Sequence, residues 1–106
     1  MISEHAQLAI KAAIAASEEI LTIYQSDDFE IENKEDNSPL TKADKAAHTI
    51  ISSILQESNI PILSEEGKSI PYKTRKYWNK LWIVDPIDGT KEFIKRNGEF
   101  TVNIAL

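Results

Sequence analysis

Two acidic residues near the end of a short apolar run are the first candidates for chemistry in this sequence. The run spans residues 81–84 and is followed by Asp85, Pro86, Ile87 and Asp88. Its length and composition are typical of a buried strand. Because proline favours extended geometry in the residue before it, we predict that Asp85 ends the strand and that the chain turns immediately afterwards. Both carboxylates and the Ile87 carbonyl could then face one point, as a hard divalent cation requires.

Gly89 and Thr90 follow the second acid, at the predicted start of a short helix from Thr90 to Ile94. Backbone N–H groups at a helix start favour an anion, so the sequence places a candidate phosphate site beside the candidate metal site. The same string is also typical of a surface turn, which by itself is the commoner explanation.

Two further acidic sites favour the functional interpretation. Glu65 and Glu66 follow the apolar residues 60–63, again at the end of a predicted strand. Thr41 and Asp44 lie three residues apart at the start of a predicted helix. There Thr41 can cap the helix and Asp44 can stabilise its dipole, a structural role that is compatible with a catalytic one.

Three motifs together resemble the inositol monophosphatase superfamily of magnesium-dependent, lithium-sensitive phosphatases. They are Leu40–Asp44, Ser64–Glu66 and Trp82–Thr90. The segment Lys91–Leu106 is similar to one branch of that superfamily, the bacterial 3′(2′),5′-bisphosphate nucleotidases of the CysQ type. Residues 36–39 and 46–48 indicate the same branch.

The resemblance implies an α+β fold, the N-terminal part of a layered αβαβα sugar-phosphatase architecture with two long helices packed on a mainly antiparallel sheet. Members of the superfamily are considerably longer than 106 residues. We therefore expect residues 1–106 to form a single incomplete domain that lacks its C-terminal half. Such a chain alone should bind Mg²⁺ weakly and show little or no turnover.

The resemblance also assigns roles to individual residues. It implies two or three Mg²⁺ ions, held by Glu65, Asp85, Asp88 and the backbone carbonyl of Ile87. It implies that Thr90 and Asp44 pair to orient the attacking water, with Glu65 as a further catalytic residue. The implied substrate-binding residues are Glu65, Asp88, Gly89, Thr90 and Lys91. Glu66 would add negative charge near the ligands or assist the water.

The reaction we predict is metal-assisted hydrolysis of a phosphate monoester. The resemblance implies removal of the 3′-phosphate of adenosine 3′,5′-bisphosphate (PAP) to give AMP, and likewise conversion of PAPS to APS, in sulfur assimilation. An inositol or sugar monophosphatase is the alternative on the same scaffold, and residues 91–94 favour the nucleotidase. A truncated remnant without catalytic activity is the remaining alternative.

Composition narrows the expected partners. With 12 basic and 17 acidic residues and a net charge of −5, the chain is a poor candidate for binding a nucleic acid polymer, whereas bound cations would allow a small phosphorylated nucleotide. Cysteine is absent, so no thiolate site exists and a cytoplasmic location is expected, with peripheral association at the bacterial inner membrane as the alternative. No apolar run approaches the length of a membrane span.

Hydrophobic periodicity predicts the elements that must position these residues. The predicted elements are helices over 3–25 and 41–57, a half-buried strand over 29–32, a loop over 34–39 with Lys34 near the site, a strand over 60–63, a surface excursion over 67–80, and a strand over 100–106 after a turn at Asn97–Gly98. His48, in the second helix, is interpreted as a hydrogen-bonded helix residue rather than a metal ligand.

The last predicted strand bears on association. An unpaired edge at this strand would favour a homodimer or pairing with the missing C-terminal half.

Overall fold

The computed structural model of the chain describes residues 3–26, 29, 31–33, 39–67, 69–96 and 98–106. The predicted loop residue Lys34 and the turn residue Asn97 therefore lie outside the described residues. The helices are α1 (Glu4–Ser26), α2 (Lys42–Leu55), α3 (Tyr72–Arg75) and α4 (Thr90–Lys95), and a 3-10 turn covers Gln56–Ser58. The strands are β1 (Glu32–Asn33), β2 (Pro39–Leu40), β3 (Ile62–Ser64), β4 (Trp82–Asp88) and β5 (Thr101–Ala105).

Helix α1 begins where the sequence predicted. The Ser3 hydroxyl accepts a hydrogen bond from the Ala6 N–H at 3.1 Å and so satisfies one of the free amides of the first turn. Small and aliphatic residues along one stripe are buried, and the alanines among them allow close packing against α2. The buried residues of α1 are Ala12, Ala16, Ile20 and Ile23. No helix of the described residues is long and apolar enough to cross a membrane.

Helix α2 starts at a complete capping box. The Asp44 N–H donates to the Thr41 hydroxyl at 3.4 Å, and the Thr41 N–H donates to the Asp44 carboxylate at 2.9 Å. This reciprocal arrangement fixes the helix start and holds both side chains fully buried. The apolar face of α2, formed by Ala43, Ala47, Ile51 and Leu55, completes the core against α1.

The central sheet has three strands in the order β3-β4-β5. Strand β3 runs parallel to β4, whereas β5 runs antiparallel to it. A second, two-stranded antiparallel sheet joins β1 and β2. The parallel pairing of β3 with β4 was not predicted from the sequence. The other two strand pairings of the described residues are antiparallel. The predicted α+β class, with two long helices beside a small sheet, is confirmed.

Strand β4 does not end where the sequence predicted. It continues through Pro86 and Ile87 to Asp88, so the expectation that the chain turns directly after Asp85 is wrong. The register between β4 and β5 shifts between Asp85 and Asp88. A bulge leaves ladder hydrogen bonds unmade, so proline can be accommodated within a strand at this point. Both Pro86 and Ile87 are buried.

An aromatic cluster anchors α4 beneath the end of α1. Phe93 is fully buried, with its ring centroid 4.7 Å from Phe29, 5.0 Å from Phe100 and 5.2 Å from Tyr24. The Arg96 guanidinium covers the Tyr24 and Phe29 rings at 5.0 and 5.2 Å. Because α4 directly follows the end of β4 at Asp88, this cluster fixes the position of that strand end.

Two of the predicted connections differ from the structure. The predicted strand over 29–32 overlaps β1 only at Glu32, and neither Phe29 nor Ile31 belongs to a strand. Phe29 is buried, whereas Ile31 is 55% exposed. The Phe29 carbonyl instead accepts a hydrogen bond from Lys42 N–H at 2.7 Å, which ties this segment to the start of α2. The predicted excursion over 67–80 contains the short helix α3.

Candidate active site

The bulge in β4 places Asp85 and Asp88 on the same face of the sheet. In a regular strand, residues three apart point to opposite faces. Here Asp85 pairs with Asn103 and Asp88 pairs with Thr101, so three steps on β4 match two steps on β5. The Asn103 amide confirms the shared face, because it donates both to the Asp88 carboxylate at 3.3 Å and to the Thr101 hydroxyl at 3.2 Å.

Glu65 reaches the same region from the neighbouring strand. Its backbone N–H donates to the Val84 carbonyl at 3.0 Å, which extends the parallel pairing one residue beyond β3. Glu65 and Asp85 both line an open cleft of about 340 Å³, which Arg75 from α3 also lines. The parallel alignment of β3 and β4 thus brings Glu65, which directly follows β3, next to Asp85 in the middle of β4.

A second group forms on the helix side of the sheet, around the Thr90 hydroxyl. This hydroxyl donates to the Asp44 carboxylate at 2.8 Å and lies 3.4 Å from the Ile87 carbonyl oxygen. The pairing of Thr90 with Asp44, implied by the family resemblance, is therefore present in the structure. Its proposed role in orienting a water stays a prediction.

Gly89 makes the tight connection between β4 and α4. Its φ of +97° is favourable only for glycine among the common residues, and a Cβ atom there would lie 2.8 Å from the Glu99 carbonyl oxygen. The Gly89 carbonyl accepts the first helical hydrogen bond, from Phe93 N–H at 2.9 Å. Lys91 follows on the exposed side of α4. The substrate-binding roles of Gly89 and Lys91 stay predictions.

The candidate ligands suit a hard cation, since Glu65, Asp85, Asp88 and the Ile87 carbonyl supply oxygen alone. Two of these carboxylates share one cleft, where their like charges favour a cation between them. Among residues 3–26, 29, 31–33, 39–67, 69–96 and 98–106, however, no three acidic or histidine side chains are close enough together to hold an ion. The complete ligand set of the sequence prediction therefore stays a prediction.

Two residues near the site were given no part in it by the sequence. His48 Nδ1 lies 2.9 Å from Ser64 Oγ, so this helix residue contacts the segment that carries Glu65. Its spacing of four residues from Asp44 on α2 is the signal that could have identified it. Arg75 lies in the predicted surface excursion over 67–80, but its Nε atom is buried and has no hydrogen-bond partner among the described residues.

One protein-family model matches this chain over its whole length. It is the model of the inositol monophosphatase family, and the match covers residues 1–106. The chain belongs to the inositol monophosphatase family. The match covers the segments that carry Asp44, Glu65, Asp85, Asp88 and Thr90.

Two of the similar curated proteins carry the name of a nucleotidase. The chain is 49% identical to the 3′(2′),5′-bisphosphate nucleotidase CysQ of Shigella flexneri and 48% identical to that of Escherichia coli strain K12, in each case over 109 aligned residues that cover 100% of this chain and 42% of the relative. The chain thus spans about two fifths of the length of these relatives.

Solved structures agree with the fold. The crystal structure of CysQ from Bacteroides thetaiotaomicron matches with a TM-score of 0.79 and 60% identity, covering 93% of this chain and 36% of that one. The extragenic suppressor protein suhB from Bartonella henselae matches with a TM-score of 0.82 and 26% identity, covering 97% and 40%.

Proposed function

We propose that this chain is the N-terminal catalytic part of a Mg²⁺-dependent phosphatase that removes the 3′-phosphate of adenosine 3′,5′-bisphosphate to give AMP. By the same chemistry it would convert PAPS to APS, in sulfur assimilation. The substrate class follows from the CysQ relatives, which carry the name 3′(2′),5′-bisphosphate nucleotidase.

The observation that carries the proposal is the hydrogen bond from Thr90 to Asp44, 2.8 Å long, directly after a strand that bears two acids on one face. The Asp44 carboxylate accepts this hydrogen bond and so orients the Thr90 hydroxyl. The oxygen of that hydroxyl keeps the capacity to accept a hydrogen bond from a water, and it would direct that water towards a phosphorus atom.

Glu65, Asp85, Asp88 and the Ile87 carbonyl would hold the metal, as two or three ions. Mg²⁺ held by these residues would lower the pKa of a water and would offset the negative charge of the departing ester oxygen. The residues themselves provide the oxygen ligands and orient the water. The Gly89 and Thr90 amides would donate hydrogen bonds to the phosphate oxygens during the displacement.

Phosphate release from purified protein tests this proposal. The protein is expressed from its full reading frame and assayed with adenosine 3′,5′-bisphosphate, with an inositol monophosphate and with a sugar monophosphate, each with and without Mg²⁺. We expect Mg²⁺-dependent release that is fastest with the bisphosphate nucleotide. Faster release from the inositol or sugar ester would assign the alternative substrate class, and no release from any of them would support a non-catalytic remnant.

A matched pair of variants connects the assay to the site. Thr90→Val removes the hydroxyl but keeps the shape of the side chain, whereas Thr90→Ser keeps the hydroxyl. We expect valine to lower the rate by about 100-fold and serine to lower it much less. Equal rates for the two variants would show that the hydroxyl has no part in the reaction.

The sheet edge bears on association. Within the described residues, β5 pairs with β4 on one side only, and an open edge of this kind can pair with another chain. We propose that a second copy or a C-terminal half covers it. Sedimentation over a range of concentrations tests for a homodimer, and a persistent monomer would exclude one.

A further inference from the structure

Helix α2 contacts both strand-end segments that carry the acids. Asp44, in its first turn, accepts a hydrogen bond from Thr90 after β4. His48, one turn later, lies 2.9 Å from Ser64 at the end of β3. Residues four apart share one helix face, so a single rigid element holds both segments. We infer that His48 is a positioning residue, which fixes the Glu65 segment relative to the Asp85 segment through Ser64.

Ser64 begins the turn that presents Glu65. Its hydroxyl accepts a hydrogen bond from the Glu66 N–H at 3.3 Å, and its carbonyl accepts one from the Gly67 N–H at 3.1 Å. Glu65 lies between these two contacts, so its backbone direction depends on where the Ser64 side chain is held. His48 holds that side chain, as donor or acceptor according to the ring tautomer.

The imidazole also limits how the turn can move. A Cβ atom at Gly67 would lie 3.2 Å from His48 Cε1, so the turn passes directly against the edge of the ring. Ser64 pairs with Val84, whose side chain is buried. Glu65, the first residue after β3, lines the cleft together with Asp85.

This inference rests on the proposed function for its catalytic consequence but not for its structural one. Outer partners that orient a ligand residue typically contribute about 10- to 100-fold to metal affinity or activity. His48 acts through one additional residue, so we expect an effect at the lower end of that range. Its loss should raise the Mg²⁺ concentration for half-maximal phosphate release by about tenfold.

Two substitutions separate positioning from helix stability. The His48→Asn variant keeps a polar atom where Nδ1 lies, whereas His48→Gln places its amide further out, near the position of Nε2. Glutamine is the better helix former of the two. If His48 only supports the helix, the glutamine variant should resemble the wild type more closely. If it positions Ser64, the asparagine variant should.

The experiment measures two quantities on the protein expressed from its full reading frame. One is the Mg²⁺ concentration giving half-maximal phosphate release. The other is hydrogen exchange at the Glu66 and Gly67 amides, with α1 amides as the internal reference. Thr49→Gln, on the exposed side of the same helix, is the matched control.

We expect His48→Gln to raise the half-maximal Mg²⁺ concentration about tenfold and to accelerate exchange at both amides, while His48→Asn and Thr49→Gln stay close to the wild type. A glutamine variant with normal Mg²⁺ dependence and normal exchange would overturn the inference and leave the proposed phosphatase intact. Faster exchange in the glutamine variant, in a protein whose wild type releases no phosphate, would support the positioning contact and refute the phosphatase.

Discussion

Replacing Asp44 by alanine should cost about 3 kcal/mol of the free energy of unfolding. The carboxylate is fully buried and accepts three hydrogen bonds, from the Thr41 N–H at 2.9 Å, the Thr41 hydroxyl at 2.6 Å and the Thr90 hydroxyl at 2.8 Å. Alanine removes the acceptor of all three donors at once. The start of α2 and its link to Thr90, at the start of α4, should therefore weaken together.

The magnitude follows from which donors can find another acceptor. A hydrogen bond to a charged group contributes about 1.5–3 kcal/mol, and an unsatisfied buried donor costs about 1–3 kcal/mol. The Thr90 hydroxyl can turn towards the Ile87 carbonyl, 3.4 Å away, but the buried Thr41 N–H depends on the side chain of residue 44. Relief of the buried negative charge offsets part of the loss, so the three contacts do not add fully.

Asp44→Asn provides the matched control. Its carbonyl oxygen can still accept from Thr41, and its amide can donate to the Thr90 hydroxyl, so we expect a loss of only about 1 kcal/mol. The Thr90 hydroxyl would then accept instead of donate, and its orientation towards a water would be lost. Phosphate release should therefore fall by about 100-fold although the protein remains folded.

Urea unfolding and phosphate release, measured on the same preparations, test both variants. The expected pattern is a large loss of stability in the alanine variant and a large loss of rate with little loss of stability in the asparagine variant. The reasoning is refuted if the alanine and asparagine variants are equally stable, since the hydrogen bonds that asparagine retains with Thr41 and Thr90 would then contribute nothing. It is also refuted if the asparagine variant keeps the wild-type rate.

Three further changes test other parts of the structure. Gly89→Ala should lower the free energy of unfolding by more than about 2 kcal/mol, because Gly89 has a φ of +97° and an added Cβ would lie 2.8 Å from a carbonyl oxygen. Gly98→Ala, at a φ of +77° with no atom within 4 Å of an added Cβ, should lower it by about 1 kcal/mol; urea unfolding measures both. Phe93→Ala should cost about 3–5 kcal/mol, since a fully buried ring is removed, and a cost below about 1 kcal/mol would contradict the aromatic cluster. Glu65→Gln should weaken Mg²⁺ binding, measured by calorimetry, by at least about tenfold, and more than Glu66→Gln; an equal effect of the two would refute the distinct role of Glu65.

Local sequence patterns were sufficient for several elements. Ser3 and the Thr41–Asp44 pair mark the helix starts found in the structure, because a cap depends on residues within one turn. The alternation over 100–106 predicted β5, whose burial alternates as expected. Pattern failed at 29–32, where alternation indicated a strand but Ile31 is exposed and the segment is held by a contact with Lys42.

Strand β4 shows why local chemistry can mislead. Proline after an acid indicates a turn when only the neighbouring residues are considered. Its missing N–H is tolerated within a strand only if the partner strand leaves that position unpaired, and this depends on the register with β5. The register cannot be read from residues 81–90 alone. The same bulge decides whether Asp85 and Asp88 share a face.

The sequence by itself determined the helices α1, α2 and α4, the caps of the two long helices, the strands β3 and β5 and the identity of the acidic candidates, because these depend on periodicity and on neighbours within a few residues. The tertiary structure alone decided which candidates meet. Thr90 and Asp44 lie 46 residues apart in the chain, and His48 and Ser64 lie 16 apart. Such contacts form only when α2 packs on the sheet and β3 aligns beside β4, and that alignment is set by burial of the whole core.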